Sequence, residues 1–370
     1  MKTLKSTFVL LALLLLTVKS HAQVHVIVCY NVENLFDTYR DTTINDVDFT
    51  PEGRFNWTSE KYWHKIGQLS RVFERIAQVT RPHTTSQWPI VIGLQEVENR
   101  SVLQDLVNAP RIRAARYQIV HYDSPDRRGV DVAFLFCAET VEYVFSKPIE
   151  VRGGDFPRLR TRDILWFKGR IDGEYFHFFN SHWPSRLGGR EASEPRRELA
   201  ASILRHVVDS IKEAAPDHRI VIMGDFNDDP NYSSVHNVLR ARSRSNMQEG
   251  DLFNPFYDMF RAGLGTLPFR DSWSLFDMII VSQNMIDGSG GFQLMPPPGS
   301  RPHDPNARRT RRNRDFEGVI FGKCVPAPFL FEPPEAGSRA GYTFRSFLPG
   351  PGIYHGGFSD HLPVYIFISR

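Results

Sequence analysis

Short apolar runs that end in polar clusters recur along the chain. Residues 24–30, 90–94, 131–136, 164–167, 175–180, 219–223, 276–281 and 363–368 are rich in Val, Ile, Leu and Phe. Each is too short for a buried helix, so the pattern predicts strands. Residues 61–80 differ: Trp63, Ile66, Leu69, Val72, Phe73, Ile76 and Val79 recur at helical spacing, with Thr58 or Ser59 placed to cap the first turn. A second long helix is expected to open at Pro195 and to bury Leu199, Ile203, Leu204, Val207, Val208 and Ile211. A shorter helix is expected over residues 103–107. Residues 288–334, rich in Gly, Pro and Arg, read as a long surface loop. Strands alternating with two good helices, without repeat or composition break, predict one α+β domain over residues 23–370.

The N-terminus follows a different rule. Lys2 and Lys5 precede an apolar run over residues 8–16, and Ser20, His21 and Ala22 follow it. This is the pattern of a secretory signal peptide cleaved near Ala22, so the chain is expected to be exported, to the periplasm or outside the cell. The run falls short of the ~20 residues of a spanning helix, and stable membrane insertion is not expected.

Charge and cysteine content narrow the picture. The 45 basic and 42 acidic residues give a formal net charge of +3, so no global field steers the chain to a polyanion. Basic charge is concentrated in residues 301–315, which hold six arginines. Three cysteines rule out a disulfide scaffold, and Cys29 and Cys137 lie in apolar runs that suit buried thiols.

The polar clusters carry the candidate chemistry. Asn31 and Glu33 follow the first strand, Glu96 the second, and His182 and Arg186 the run at 175–180. Asp225 and Asn227 follow residues 219–223, Asp277 sits inside an apolar run, and Asp360 and His361 precede the last strand. One carboxylate after a strand is commonly a turn or cap residue, which remains the reading for Asp228 and Asp229 before Pro230. Six such clusters in one chain point instead to a shared rim. Carboxylate and amide oxygens suit a hard cation, and Asp–His combinations suit proton transfer.

The stretches NVENLFD, IGLQEVEN, NSHWPSR, GDFND, FDMIIVS and SDHLPV, in this order, resemble the endonuclease/exonuclease/phosphatase superfamily, and in particular its exported bacterial branch. The resemblance implies a four-layer αββα sandwich with its catalytic groups on loops at one sheet edge. It further implies that Glu96 binds the metal together with Asn31, Glu33 and Asp360, the ion being Mg²⁺ with Mn²⁺ able to substitute. Asp225 and Asn227 would orient the attacking water and hold the phosphate. Asp277 would pair with His361, and His182 would be a second active-site histidine with Asp131 as a candidate support. Arg162 and Arg186 would contact phosphate.

Substrate class stays open at this level. A monomeric endonuclease acting on nucleic acid is favoured by the two histidines and by the arginines, including the 301–314 cluster. The alternative is a hydrolase of small or lipid phosphates, for which the aromatic stretch Phe253, Phe256, Tyr257 and Phe260 would supply a membrane-facing surface. A catalytically inert binding module is disfavoured, because no expected acidic or histidine position is missing.

Overall fold

The computed structural model describes residues 22–269, 272–298, 321–325, 327–348 and 350–370. Residues 1–21, which hold nearly all of the expected signal peptide, and the arginine cluster at 301–314 lie outside the described residues.

Strands β1 (Val24–Leu35), β2 (Val91–Val97), β3 (Gln118–His121) and β4 (Asp131–Phe136) begin the first sheet. Strands β5 (Val141–Ile149), β6 (Ile164–Ile171), β7 (Glu174–His182), β8 (Arg219–Asp225), β9 (Ala241–Arg242) and β10 (Leu252–Phe253) belong to the second. After a hairpin of β11 (Leu267–Phe269) and β12 (Ser272–Ser274), β13 (Asp277–Ser282) returns to the second sheet. The first sheet is completed by β14 (Gln293–Met295), β15 (Lys323–Cys324) and β18 (Val364–Ser369), with the hairpin of β16 (Phe347–Leu348) and β17 (Ile353–Tyr354) between the last two. The sheet orders are β14-β18-β1-β2-β4-β3, with β15 also on β18, and β5-β6-β7-β8-β13-β10-β9.

Side-chain alternation builds the layers. Ile27 and Cys29 of β1 face the second sheet, in one core with Phe134, Phe178, Val221 and Ile279. Val26, Val28 and Tyr30 point the other way, onto Ile66, Leu69, Val72 and Phe73 of helix α1 (Ser59–Thr80). Helix α2 (Arg100–Val107) joins that outer layer through Val102, Leu103 and Leu106. Helix α3 (Arg190–Ala214) covers the second sheet with Ala200, Ala201, Leu204 and Val208. The result is the αββα sandwich. A fourth helix, α4 (Tyr257–Arg261), is a single short piece. Among the described residues no helix is long and apolar enough to cross a membrane.

Three expectations need correction, and strand β5 went unpredicted. Helix α3 starts at Arg190, not Pro195: positive φ at Gly188 and Gly189 breaks the preceding chain, and Ser193 bonds back to the Gly189 carbonyl, so Pro195 is carried inside the helix at the cost of one N–H. Strand β5 gave no apolar run because it is a largely exposed edge. The region 288–334 is not loop throughout, since β14 and β15 pair with β18. Phe253 and Phe256 are buried in the core, and so cannot present a membrane surface. All three cysteines are free, with Cys29 and Cys137 buried.

Candidate active site

Strand direction brings the six clusters to one edge. β1 and β2 are parallel, as are β7 and β8, so each pair ends on the same side of its sheet. Their antiparallel neighbours β18 and β13 begin on that side. Register then sets the lateral order: His182 lies opposite Asp225, and Asp225 opposite Asp277. Packing of the sheets joins the two edges, where Asn31 Nδ2 donates to Asp225 Oδ2 at 3.0 Å and Gln95 Nε2 donates to Asn180 Oδ1.

The strands become irregular as they reach this edge. The β1–β2 register shifts after Asn31 and the β2–β4 register after Gln95. Glu33 (φ 52°), Asn34 (φ 57°), Glu96 (φ 65°) and Asn227 (φ 51°) hold left-handed backbone. Each such residue without glycine's freedom costs on the order of 1 kcal/mol. Bulges of this kind break the two-residue alternation and re-aim a side chain at the strand end.

Two buried histidines flank Asp225, and they differ in charge. His361 Nδ1 lies 2.7 Å from Asp277 Oδ2, and its Nε2 lies 3.7 Å from Asp225 Oδ2. Burial alone would lower its pKa, but the carboxylates of Asp277 and Asp225 outweigh burial and raise it well above the usual value. The ring is therefore an imidazolium at neutral pH. His182 Nε2 lies 3.5 Å from Asp225 Oδ2 and 3.9 Å from Glu96 Oε1, while its buried Nδ1 has no hydrogen-bond partner among the described residues. Burial, reinforced by Arg162, Arg128 and His361, pushes its pKa well below the usual value, so this ring is neutral. Asp225 accepts from the Asn227 amide at 2.9 Å. Burial raises its pKa to about 6, against the pull of His361 and with the help of Asp277.

A second acidic group lies beside the first. Glu96 Oε2 accepts from the Asn34 amide at 3.0 Å, and its Oε1 accepts no hydrogen bond among the described residues. Glu33 is buried, and both of its oxygens are engaged by Arg345 and the Ser346 amide. Burial and Asp360 raise the Glu33 pKa to about 7, opposed by Arg345 and Lys65. Asp360 Oδ2 accepts from Arg345 Nη2 at 3.0 Å.

Both arginines expected on phosphate are tied to the protein, Arg162 through all three guanidinium nitrogens and Arg186 through Nε and Nη2. Arg162 is buried, and donates to the carbonyls of His182 and Trp183 and to Asp126. Arg186 donates to the Asn227 carbonyl and to Asp228 and Asp229, and stacks 4.4 Å from the Phe276 ring. Both brace the loops that follow β7 and β8. Asn227 Nδ2 reaches the Trp183 carbonyl at 3.0 Å and ties those loops together. Asp131 bonds to His121 and to the Ser124 amide rather than to His182.

Sequence reasoning passed over Arg345 and Lys65. Lys65 is fully buried on α1, and its Nζ donates to the Val32 carbonyl at 2.9 Å and to Ser346 Oγ at 2.6 Å. A signal for it existed: position 65 shares the apolar face with Leu69 and Val72, where a lysine needs partners. Arg345, in GYTFRSF, carries no comparable mark.

A sequence profile of the endonuclease/exonuclease/phosphatase family matches residues 26–306. The chain belongs to that family. Solved structures agree on the fold. An endonuclease/exonuclease/phosphatase family protein of Bacteroides thetaiotaomicron superposes with a TM-score of 0.50 at 16% identity, covering 94% of this chain and 98% of that one. An endonuclease/exonuclease/phosphatase of Bacteroides vulgatus does so with a TM-score of 0.50 at 13% identity, covering 94% and 98%. No curated protein matches the chain in sequence.

Members of the endonuclease/exonuclease/phosphatase family are phosphoric ester hydrolases that depend on a divalent metal. The rim fits such an ion. Glu96 offers a carboxylate oxygen with no hydrogen-bond donor, on a side chain 14% exposed, and Asp360 lies on the same rim with one oxygen not taken by Arg345. Asn31 has its amide nitrogen on Asp225 and its oxygen on the Glu33 amide, so only the second lone pair of that oxygen is open to an ion.

Proposed function

We propose that this protein is an exported, Mg²⁺-dependent phosphodiesterase that hydrolyses the backbone of nucleic acids. The observation that carries the reading is the pair of histidines on either side of Asp225, His361 cationic and His182 neutral. A phosphodiester resists attack because its own oxygens repel the nucleophile. The cationic His361 counters that charge without needing to be protonated during the reaction. Asp225, ionised above about pH 6 and held by Asn31 and the Asn227 amide, accepts the proton of the attacking water. His182 remains neutral, so it hydrogen-bonds at the site without adding charge. Glu96, with Asp360 and Asn31 beside it, would hold a divalent ion, which would neutralise charge on the phosphoryl oxygens. The all-oxygen donor set favours Mg²⁺, with Mn²⁺ as a substitute. Export is supported by the N-terminal pattern and would be read by cell fractionation.

The test is a plasmid-nicking assay run beside a phosphomonoester and a sphingomyelin assay, each with Mg²⁺ and with excess chelator. Metal-dependent nicking supports the nuclease reading. Turnover of a monoester or of sphingomyelin with no nicking would replace it by the small- or lipid-phosphate reading.

A further inference from the structure

Arg345 occupies a place that no sequence motif marked. Its Nε and Nη2 donate to Glu33 Oε1 at 3.1 and 2.9 Å, and Nη2 also reaches Asp360 Oδ2 at 3.0 Å. Its Nη1 makes no hydrogen bond among the described residues. The side chain is 31% exposed, whereas Glu33 beneath it is buried. One edge of the guanidinium is thus bound to the protein, and the other is presented on the rim that carries Glu96 and Asp360.

The surrounding backbone fixes this orientation. The Ser346 amide donates to Glu33, Thr343 Oγ1 to the Asp360 carbonyl at 3.0 Å, and the Phe358 amide to the Phe344 carbonyl at 2.6 Å. Lys65 holds Ser346 from below. The segments approach so closely that a Cβ at Gly357 would lie 2.4 Å from the Arg345 carbonyl oxygen. A contact that short forbids any other residue there without movement of the chain.

We propose that Arg345 is a substrate-binding residue of this site, whose Nη1 holds a non-bridging phosphate oxygen of the ester while Glu33 and Asp360 fix the guanidinium plane. The inference rests on phosphoric-ester hydrolysis as the chemistry of the site. A planar fork already locked by two carboxylates loses little freedom on binding, and its bond to phosphate is charge-assisted. Arg162 cannot serve in this way, because its Nε, Nη1 and Nη2 are all committed to carbonyls and to Asp126.

The full-length protein, Arg345→Lys and Arg345→Ala would be compared in Mg²⁺ for KM and kcat on bis(p-nitrophenyl) phosphate. Inhibition by inorganic phosphate, circular dichroism and Tm would be recorded on the same samples. Arg345→Lys keeps a charge over Glu33 but loses the fork. Its KM and its phosphate inhibition constant should each rise about tenfold, with an unchanged dichroism spectrum. Arg345→Ala should regain activity on addition of guanidinium and not on addition of ethylammonium. Should the alanine variant not fold, the lysine variant decides alone. Arg345→Lys with wild-type KM and phosphate inhibition would overturn the proposal and leave Arg345 as a clamp for Glu33. A wild-type protein that hydrolyses no phosphoric ester and binds no phosphate would instead overturn the reading of the site beneath it.

Discussion

His361 and Asp277 are 84 residues apart in the chain, yet His361 Nδ1 and Asp277 Oδ2 lie 2.7 Å apart, both buried. Among the described residues Asp277 Oδ1 has no hydrogen-bond partner, and the imidazolium is the one side chain paired with this carboxylate. The pair should act as a unit. His361→Ala should lower kcat by at least ~10², the scale of an electrostatic or acid–base partner. Asp277→Asn works through the same ring, so the double variant should lose little more than the worse single one. A kinetic double-mutant cycle checks this, and additive losses would contradict the pairing.

Asp225 sets the expected pH dependence. Its carboxyl is raised to about 6, so the ionised form that accepts a proton grows between roughly pH 5 and pH 7. The metal-free protein, titrated by NMR, should show this group near 6. His361 is raised and should stay protonated across the same range. The kcat/KM profile should therefore carry an acid limb from Asp225, moved to lower pH by bound cation. Asn31→Ala removes a donor to the ionised carboxylate, so it should shift the limb to higher pH. A limb that stays in place in that variant would dissociate Asn31 from Asp225 chemistry.

Glu96 should be the residue most sensitive for metal binding. Its unpartnered oxygen and strained backbone (φ 65°) are maintained by the bulge at the end of β2. Glu96→Gln keeps size and the bond from Asn34 but removes the charge. Calorimetric Mg²⁺ affinity should fall by ten-fold or more while Tm in chelator stays near wild type, in the range of a substituted metal ligand. Unaltered Mg²⁺ affinity would place the ion elsewhere on the rim.

What could be read from the chain followed periodicity, and what escaped it was set by distant contacts. β2, β4, β8, β13 and β18 are buried on both faces, so each wrote an unbroken apolar run. β5 has one side in solvent and an edge position, and its Glu142, Tyr143 and Val144 gave no such run. The start of α3 was misplaced because proline at a first turn is only a preference, which the Gly188–Gly189 break overrode. Residues at strand ends announced themselves by polar letters after apolar ones, and the structure brings Asn31, His182, Asp225, Asp277 and His361 together. Arg345 reaches Glu33 across 312 positions from an irregular segment, so nothing local could mark it. Arg162 and Arg186 were legible as conspicuous arginines, but their partners are loop carbonyls together with Asp126, Asp228 and Asp229, a combination that no local pattern records.

The arginines at 308, 309, 311 and 312 provide the test that separates a nucleic-acid substrate from a small one. Their density is too high for a core strand or helix, and they lie outside the described residues. If they track a phosphodiester backbone, each lost contact should lower affinity and flatten the salt dependence of binding by about one unit of slope. Changing all four to serine should then weaken DNA binding strongly and reduce that slope. Hydrolysis of bis(p-nitrophenyl) phosphate should hardly change, because Glu96, Asp225 and His361 are untouched. DNA affinity measured by fluorescence anisotropy over a series of salt concentrations decides the matter. An unchanged affinity and slope would assign the cluster to solvent and remove it as support for a nuclease, leaving the charge arrangement around Asp225 to carry that reading alone.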